Sequence, residues 1–252
     1  MDERPAVTVA TLNLHGMKAG WRERAPLVLA TLAAEAPDVV LLQEAARWLP
    51  QPRWLAWRLS RATGHHYRAL TVPKRGWWWF IEGLAVLTRL PVVSHARFDL
   101  RGNERVAQRV TLAAPGGIEF DAYNVHLAHR GDDESLRTAQ ARRLLRWMAT
   151  RGPMPAVVAG DFNADPWSET VAAVRERLRS AHTVANGGEP AFTAPSHAGP
   201  GEGRTIDYLF VNGGLAVERC AVAFAGVDRD GRRVYPSDHL GLVARVTIAP
   251  AE

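Results

Sequence analysis

Apolar residues along the chain come mostly in short runs, dense in β-branched residues and leucine. "AVTVATLNL" (6–14), "DVVLLQE" (38–44), "GLAVLTRL" (83–90), "RVTLAA" (109–114), "IEFDAYNVHL" (118–127), "PAVVAGDF" (155–162), "TIDYLFV" (205–211) and "GLVARVTIA" (241–249) all read as strands. Three stretches have helical spacing instead. One runs from about Trp21 to Ala36 and ends at the Ala-Pro-Asp break. A second, Asp133 to Arg151, carries Leu136, Leu144, Leu145, Trp147 and Met148 amid arginines and is stopped by Gly152 and Pro153. The third starts at Ser168, an N-cap, and continues to about Arg179. "APGG" (114–117) between two strand runs predicts a hairpin and therefore antiparallel pairing. Strands outnumber helices, so a mixed sheet system with helices packed outside fits better than a doubly wound parallel sheet.

Two segments break this rhythm. Asn186 to Gly203, "NGGEPAFTAPSHAGPGEG", is turn-rich like a linker, yet chemistry-bearing motifs lie on both sides of it, so a loop beside a site is expected. The run "PKRGWWWFIEG" (73–83) sets three tryptophans and a phenylalanine behind Lys74 and Arg75. If it is extended, Trp78, Phe80 and Glu82 share one face while Trp77, Trp79 and Ile81 share the other. Most of these rings are then expected to be half buried between layers, with Lys74, Arg75 and Trp77 forming a ledge toward substrate.

Composition narrows the class. The 252 residues are 47% hydrophobic and 23% charged, ordinary values that allow a sizeable core and give no sign of disorder beyond the ends. A net charge of +5 is a mild bias toward a polyanionic partner. Cys220 is the one cysteine, so no internal disulfide exists and a reducing compartment is the simplest setting. The start resembles no signal peptide and no run is long enough to span a bilayer, so a cytoplasmic monomer without integral membrane association is expected.

Polar residues at the ends of apolar strands carry the chemical signal, because a strand end is rigid and opens to solvent. They are Asn13 in "TLNLHG", Glu44 in "LLQEA", Asn124 and His126 in "YNVHL", Asp161 and Asn163 in "VVAGDFNADP", Asp207 in "TIDYLF", and Asp238 with His239 in "YPSDHLG". Each alone has a turn-capping or solvated alternative. Together, carboxylates, amides and histidines without a second cysteine suit a hard divalent cation and a phosphate ester.

In order and spacing, "QE", "GDFN", "IDYLF" and "SDH" resemble the endonuclease/exonuclease/phosphatase superfamily from Asn13 to His239. The resemblance implies a single domain over residues 1–252 with a four-layered αββα sandwich: two mainly antiparallel sheets face to face and helices outside. It implies Mg²⁺, for which Mn²⁺ can substitute, held by Glu44 with Asn13 and Asp238. It makes His239 the histidine that activates water or holds the phosphate, Asp207 its orienting carboxylate, and Asp161 and Asn163 the residues that position the nucleophile or a second metal and bind phosphoryl oxygens. His126 would hydrogen-bond the phosphate and protonate the leaving oxygen, with Glu82 behind it. Arg204 is a phosphate contact or a surface ion pair. The implied reaction is in-line attack of water on phosphorus. Nuclease or phosphodiesterase activity ranks first, from the net charge and the aromatics beside Lys74 and Arg75. Hydrolysis of lipid or small-molecule phosphoesters ranks second, and a non-catalytic binding module last.

Overall fold

The computed structural model describes residues 4–18, 20–74, 82–129, 133–195, 202–229 and 232–248. In chain order the elements are β1 (Ala6–Asn13), α1 (Trp21–Glu35), β2 (Val39–Ala46), α2 (Gln51–Thr63), β3 (Arg68–Pro73), β4 (Glu82–Thr88), β5 (Val92–Asp99) and β6 (Val106–Ala113). There follow β7 (Glu119–His126), α3 (Glu134–Ala149), β8 (Ala156–Asp161), α4 (Glu169–Arg175), β9 (Arg179–Ser180) and α5 (Ala181–Asn186). The last are β10 (Ala194–Pro195), β11 (Gly203–Arg204), β12 (Asp207–Val211), β13 (Leu215–Ala223), β14 (Val227–Arg229), β15 (Arg232–Val234) and β16 (Gly241–Ile248).

Two six-stranded sheets form, in the orders β13-β16-β1-β2-β4-β3 and β5-β6-β7-β8-β12-β9. The β1–β2 and β7–β8 pairs are parallel and the other pairings are antiparallel. The sheets face each other across Val7, Val9, Val39, Leu41 and Val86 on one side and Val110, Leu112, Phe120, Val157 and Leu209 on the other. Outside the first sheet, Leu29 and Leu32 of α1 and Leu55 and Leu59 of α2 cover Leu12, Val40, Leu42 and Leu87. Outside the second, Leu144 of α3 and Val171 and Val174 of α4 cover Val125, Val158 and Phe210. This is the expected four-layered sandwich. Both faces of each sheet are buried, which is why "VVLL" and "AVVA" are continuous apolar runs without polar alternation.

Local chemistry explains most boundaries. Asp133 caps α3 by accepting from the Leu136 N–H, and Ser168 caps α4 by accepting from the Val171 N–H. Against the expected end near Arg179, α4 stops at Arg175, because Arg179 is drawn into β9 opposite Val211. The turn-rich loop, Asn186 to Gly203, contributes to the β10–β11 pair, whose ladder includes Ala194 opposite Arg204. Of the aromatic run, residues 75–81 lie outside the described residues, so the expectations for Arg75 and for Trp77 to Trp79 fall there; Lys74 and Glu82 are described.

Candidate active site

Strand direction gathers the polar ends on one rim. Asp161 closes β8 and lies opposite both His126, which closes parallel β7, and Asp207, which opens antiparallel β12. In the first sheet β1 ends at Asn13 and β2 carries Glu44 near its end, while antiparallel β4 starts at Glu82 beside them, with Glu82 opposite Ala46. Leu242 of β16 faces Thr11, which brings Asp238 and His239, just ahead of that strand, to the end of β1.

Tight backbone geometry fixes these ends. A register shift between Leu42 and Ala45 in the β2–β4 ladder marks a bulge, and Glu44 within it has φ 47°. The bulge frees the carbonyls of Leu42 and Ala85, and the buried Asn124 amide, crossing from the second sheet, donates to both while accepting from Gln43 Nε2 at 2.8 Å. Asn124 is therefore a tie between the sheets. His15 and Asn163 also have left-handed backbones, φ 52° and 50°. Strain of this kind persists only where surrounding contacts over-determine it. Gly160 allows β7 and β8 to meet: a Cβ there would stand 2.0 Å from the Val125 carbonyl oxygen.

The buried carboxylates are wired to the histidines. Asp207 Oδ2 accepts from the Thr193 hydroxyl and pairs with His239 Nδ1, both at 2.8 Å. Asp161 Oδ2 accepts from Asn13 Nδ2 at 3.1 Å and stands 3.4 Å from His126 Nε2, while its Oδ1 accepts from the Asn163 N–H. Burial and the neighbouring Asp207 push the Asp161 carboxyl up to about 7, with His239 and the hydrogen bonds from Asn163 and Asn13 opposing. For His239, burial disfavours the imidazolium, but the charge and hydrogen bond of Asp207, aided by Asp161 and Asp238, outweigh it and raise the ring to about 10. His126 goes the other way. Complete burial, then the cations Arg105 and Lys74, hold its pKa well below the ordinary histidine value. A neutral ring hydrogen-bonds a phosphate but is a poor proton source, which departs from the expected protonation of the leaving oxygen.

The oxygen donors expected at a cation stand on the first-sheet side. Glu44 Oε2 is buried without a hydrogen-bond partner among the described residues, and Lys18 Nζ is 3.7 Å from it. Asp238 Oδ2 is 3.4 Å from His15 Nδ1, and Oδ1 accepts from the Ser237 hydroxyl. Asp238 and Glu44 both act on the His15 ring, so the two carboxylates share one neighbourhood. Asn13 Oδ1 accepts from the His15 N–H. A hard divalent cation fits this set, because an unpartnered buried carboxylate oxygen is what such an ion satisfies. Asp161, Asp207 and His239 also offer ligand atoms within 4.8 Å of one another. There Asp207 Oδ2 is already shared by Thr193 and His239, which suits proton handling, while its Oδ1, like Glu44 Oε2, is buried with no hydrogen-bond partner among the described residues.

Two expected roles are corrected. Glu82 does not hold His126: its carboxylate pairs with Lys74, and His126 Nδ1 is buried with no partner among the described residues. The Lys74 charge is drawn to Glu82 because both are enclosed at the same strand ends, and burial lowers its pKa to about 8. Arg204 gives its Nε and Nη2 to Asp165, at 3.0 and 2.8 Å, leaving the surface-pair alternative in place of the phosphate contact. Three residues join the site that strand-end reasoning passed over or assigned to the surface. Thr193 sits in the turn-rich loop, where nothing in the sequence singles it out. His129 reaches Asn163 Oδ1 at 3.2 Å from the loop after β7. Arg105 precedes β6, whose start lies at the rim where antiparallel β7 ends.

Residues 10–239 match the family described as "Endonuclease/Exonuclease/phosphatase family". The chain belongs to that family. Its members are hydrolases acting on phosphoester bonds. Human Nocturnin is 28% identical over 255 residues, spanning 88% of this chain but 57% of that protein; for Xenopus laevis Nocturnin the figures are 27%, 88% and 64%. The chain thus spans little more than half the length of these curated relatives. Among solved structures, the human Nocturnin catalytic domain with a bound sulfate anion superposes with a TM-score of 0.79 at 27% identity, covering 99% of this chain and 96% of the other. A family protein from Bacteroides thetaiotaomicron gives 0.81 at 20% identity, covering 98% and 100%, a likeness of fold alone.

Proposed function

We propose that the chain is a Mg²⁺-dependent phosphodiesterase, most plainly a nuclease, that hydrolyses its substrate by in-line attack of water. The observation that carries this is the meeting at one rim of His126, Asp161 and Asp207 from the second sheet with His239 from the first. Glu44, Asn13 and Asp238 would hold the cation, which when bound supplies electrostatic stabilisation of charge on the phosphoryl oxygens.

The chain's own groups divide the remaining work by their proton affinities. Asp161, pushed up to about 7, is poised to take a proton from the attacking water near neutral pH. Asp207 occupies Nδ1 of His239 and leaves Nε2 of a cationic ring for a phosphoryl oxygen or the departing oxygen. Neutral His126 and the Asn163 amide add uncharged donors, the amide being steadied by Leu127 and His129. Trp167, 85% exposed on the loop after Asn163, offers a stacking surface for a base, worth about 1–3 kcal/mol in such contacts. The sulfate in the human Nocturnin catalytic domain, a tetrahedral oxyanion, supports a phosphoryl site in this fold. A lipid headgroup ester is the second reading, favoured by exposed Trp48, Leu49 and Trp57 on α2 and the connection before it.

The test is a panel of plasmid and single-stranded DNA, RNA, sphingomyelin vesicles, inositol phosphates and bis-p-nitrophenyl phosphate, each with Mg²⁺, Mn²⁺ or EDTA. Hydrolysis that survives EDTA, or that Glu44→Ala leaves intact, overturns the mechanism. Turnover confined to vesicles selects the lipid reading.

A further inference from the structure

Two buried arginines at this end of the sandwich are treated in opposite ways. Arg24, 5% exposed, donates to the carbonyls of Leu14, Gly16, Lys18 and Pro236 and so fastens loops together. Arg105, 8% exposed, has both Nε and Nη1 enclosed with no hydrogen-bond partner among the described residues. A guanidinium keeps its charge in proteins, so it cannot escape this cost by neutralising. Unfilled, buried N–H groups call for an acceptor that the described residues do not provide.

The surroundings say which acceptor. The Arg105 charge is felt by Asp161, Glu44 and His126, so it lies at the catalytic rim. Those carboxylates attract it without hydrogen-bonding to the enclosed nitrogens, and Asp161 is occupied by Asn13 and Asn163. Lys74, a second cation, acts on both Arg105 and His126 while pairing with Glu82.

The backbone carrying Arg105 is held in place rather than left free to fold away. Arg101, Gly102, Asn103 and Glu104 all have left-handed φ, from 47° to 78°. Arg105 closes the turn by donating its N–H to the Gly102 carbonyl and accepting from the Leu100 N–H. Gln140 of α3 donates to the carbonyls of Arg101 and Gly102, and its oxygen accepts from the Ala128 N–H just after His126. One side chain therefore sets the Arg105 turn and the His126 loop together.

We propose that Arg105 is a substrate-binding residue that donates its unfilled N–H groups to nonbridging oxygens of the phosphate being hydrolysed. The inference rests on the phosphoester reading above and adds to it a fixed cation on the second sheet, facing the carboxylates that would hold the metal. A planar guanidinium suits this position because it presents several donors in a set geometry to a tetrahedral oxyanion.

Inorganic phosphate is the probe. Its binding is measured on the Mg²⁺-loaded full chain by calorimetry and as a competitive inhibitor of bis-p-nitrophenyl phosphate hydrolysis, for wild type, Arg105→Met and Arg105→Lys. The expected result is a tenfold or greater loss of phosphate affinity in both variants and a fall in kcat/KM, with thermal stability held or raised in Arg105→Met. Methylguanidinium should restore part of the activity of Arg105→Ala. Unchanged phosphate affinity in folded Arg105→Met overturns the proposal, as does a loss of stability without any rescue, which marks a structural arginine. If wild type hydrolyses no phosphoester in an EDTA-sensitive way, the phosphoester reading itself falls. If wild type is active and the variants match it, only the role of Arg105 falls.

Discussion

The two sheets meet at the candidate site with different degrees of finish. On the second sheet, Asp161 and Asp207 are almost wholly enclosed, and each accepts at least two hydrogen bonds from named partners, while Asp207 Oδ1 has none among the described residues. On the first, Glu44 has a buried oxygen without a partner, and Asp238 keeps a side chain 40% exposed. A buried carboxylate held by several hydrogen bonds is rigid, and such a network holds proton affinities apart. An unsatisfied carboxylate beside an exposed one is costly in isolation and stabilised by a cation. The contrast fits the proposed division of labour, in which the second sheet handles protons and the first receives an ion. His239 and Asn13 bridge the halves by bonding Asp207 and Asp161.

The sharpest way to break this comparison is to remove one group from each half and read activity and stability together. Glu44→Gln should lower hydrolysis on the order of 10³-fold or more, since ion-borne stabilisation of the transition state amounts to several kcal/mol. Its thermal stability in EDTA should not fall, because the lost charge had no bonded partner. A large drop in that stability would place Glu44 among the structural groups. Asp207→Asn should cost on the order of 10²-fold in kcat, the lower end for acid–base assistance.

Asp207→Asn also tests the electrostatics in metal-free protein. The His239 pKa lies at about 10, above its ordinary 6.5, so its stabilisation is fully present below 6.5 and is lost as pH rises through about 10. Lys74, lowered to about 8 by burial, gives the opposite slope, with stability gained as pH rises from about 8 toward 10.5. That slope is common to both proteins. The difference between wild type and variant, measured by urea unfolding from pH 6.5 to 10, should therefore shrink as pH rises. A constant difference would mean that Asp207 does not set the His239 proton affinity.

Ion binding itself supplies a smaller, separate effect. Mg²⁺ or Mn²⁺ at 100 times its dissociation constant should stabilise wild type by about 2.7 kcal/mol, and Glu44→Gln should abolish most of that gain. Equal gains in both proteins would move the ion toward Asp161, Asp207 and His239.

The same contrast explains what the sequence disclosed. Strands buried on both faces announce themselves as unbroken apolar runs, so β1, β2, β4, β7, β8, β12 and β16 were legible, and the polar residues at one end of each pointed to the rim. β5, "VVSHARFD", alternates at a sheet edge and passes unnoticed; α2 hides its Leu55 and Leu59 face behind exposed Trp57 and surrounding arginines. Partners across the sandwich were harder. Glu82 was linked to His126 from its place near the strand start, but Lys74 ends the adjacent β3 and, as the opposite charge, takes it. Asn124 carried the same strand-end signature as His126, yet the bulge in the facing sheet turned it into a tie between sheets. Only tertiary geometry shows which carbonyls a bulge leaves unpaired. Arg105 went unseen because Gln108 and Arg109 interrupt the apolar pattern, so the strand legible in the sequence begins at Arg109 whereas β6 begins at Val106; antiparallel pairing then sets the start of β6 beside the end of β7.

The smallest expected effect separates two arginines that a charge count treats alike. Arg204 is engaged at the surface by both oxygens of Asp165, and an exposed pair of this kind is worth about 0–1 kcal/mol. Arg204→Ala should therefore change kcat/KM on bis-p-nitrophenyl phosphate by less than about threefold, since 0.6 kcal/mol is roughly that factor. On a long nucleic acid the same variant should bind modestly more weakly at low salt, because Asp165, left unpaired, repels the phosphates, and added salt should erase the difference. A loss well beyond threefold on the small diester would show that Arg204 leaves Asp165 for the substrate, and the line between a fixed second-sheet cation and a surface pair would have to be redrawn.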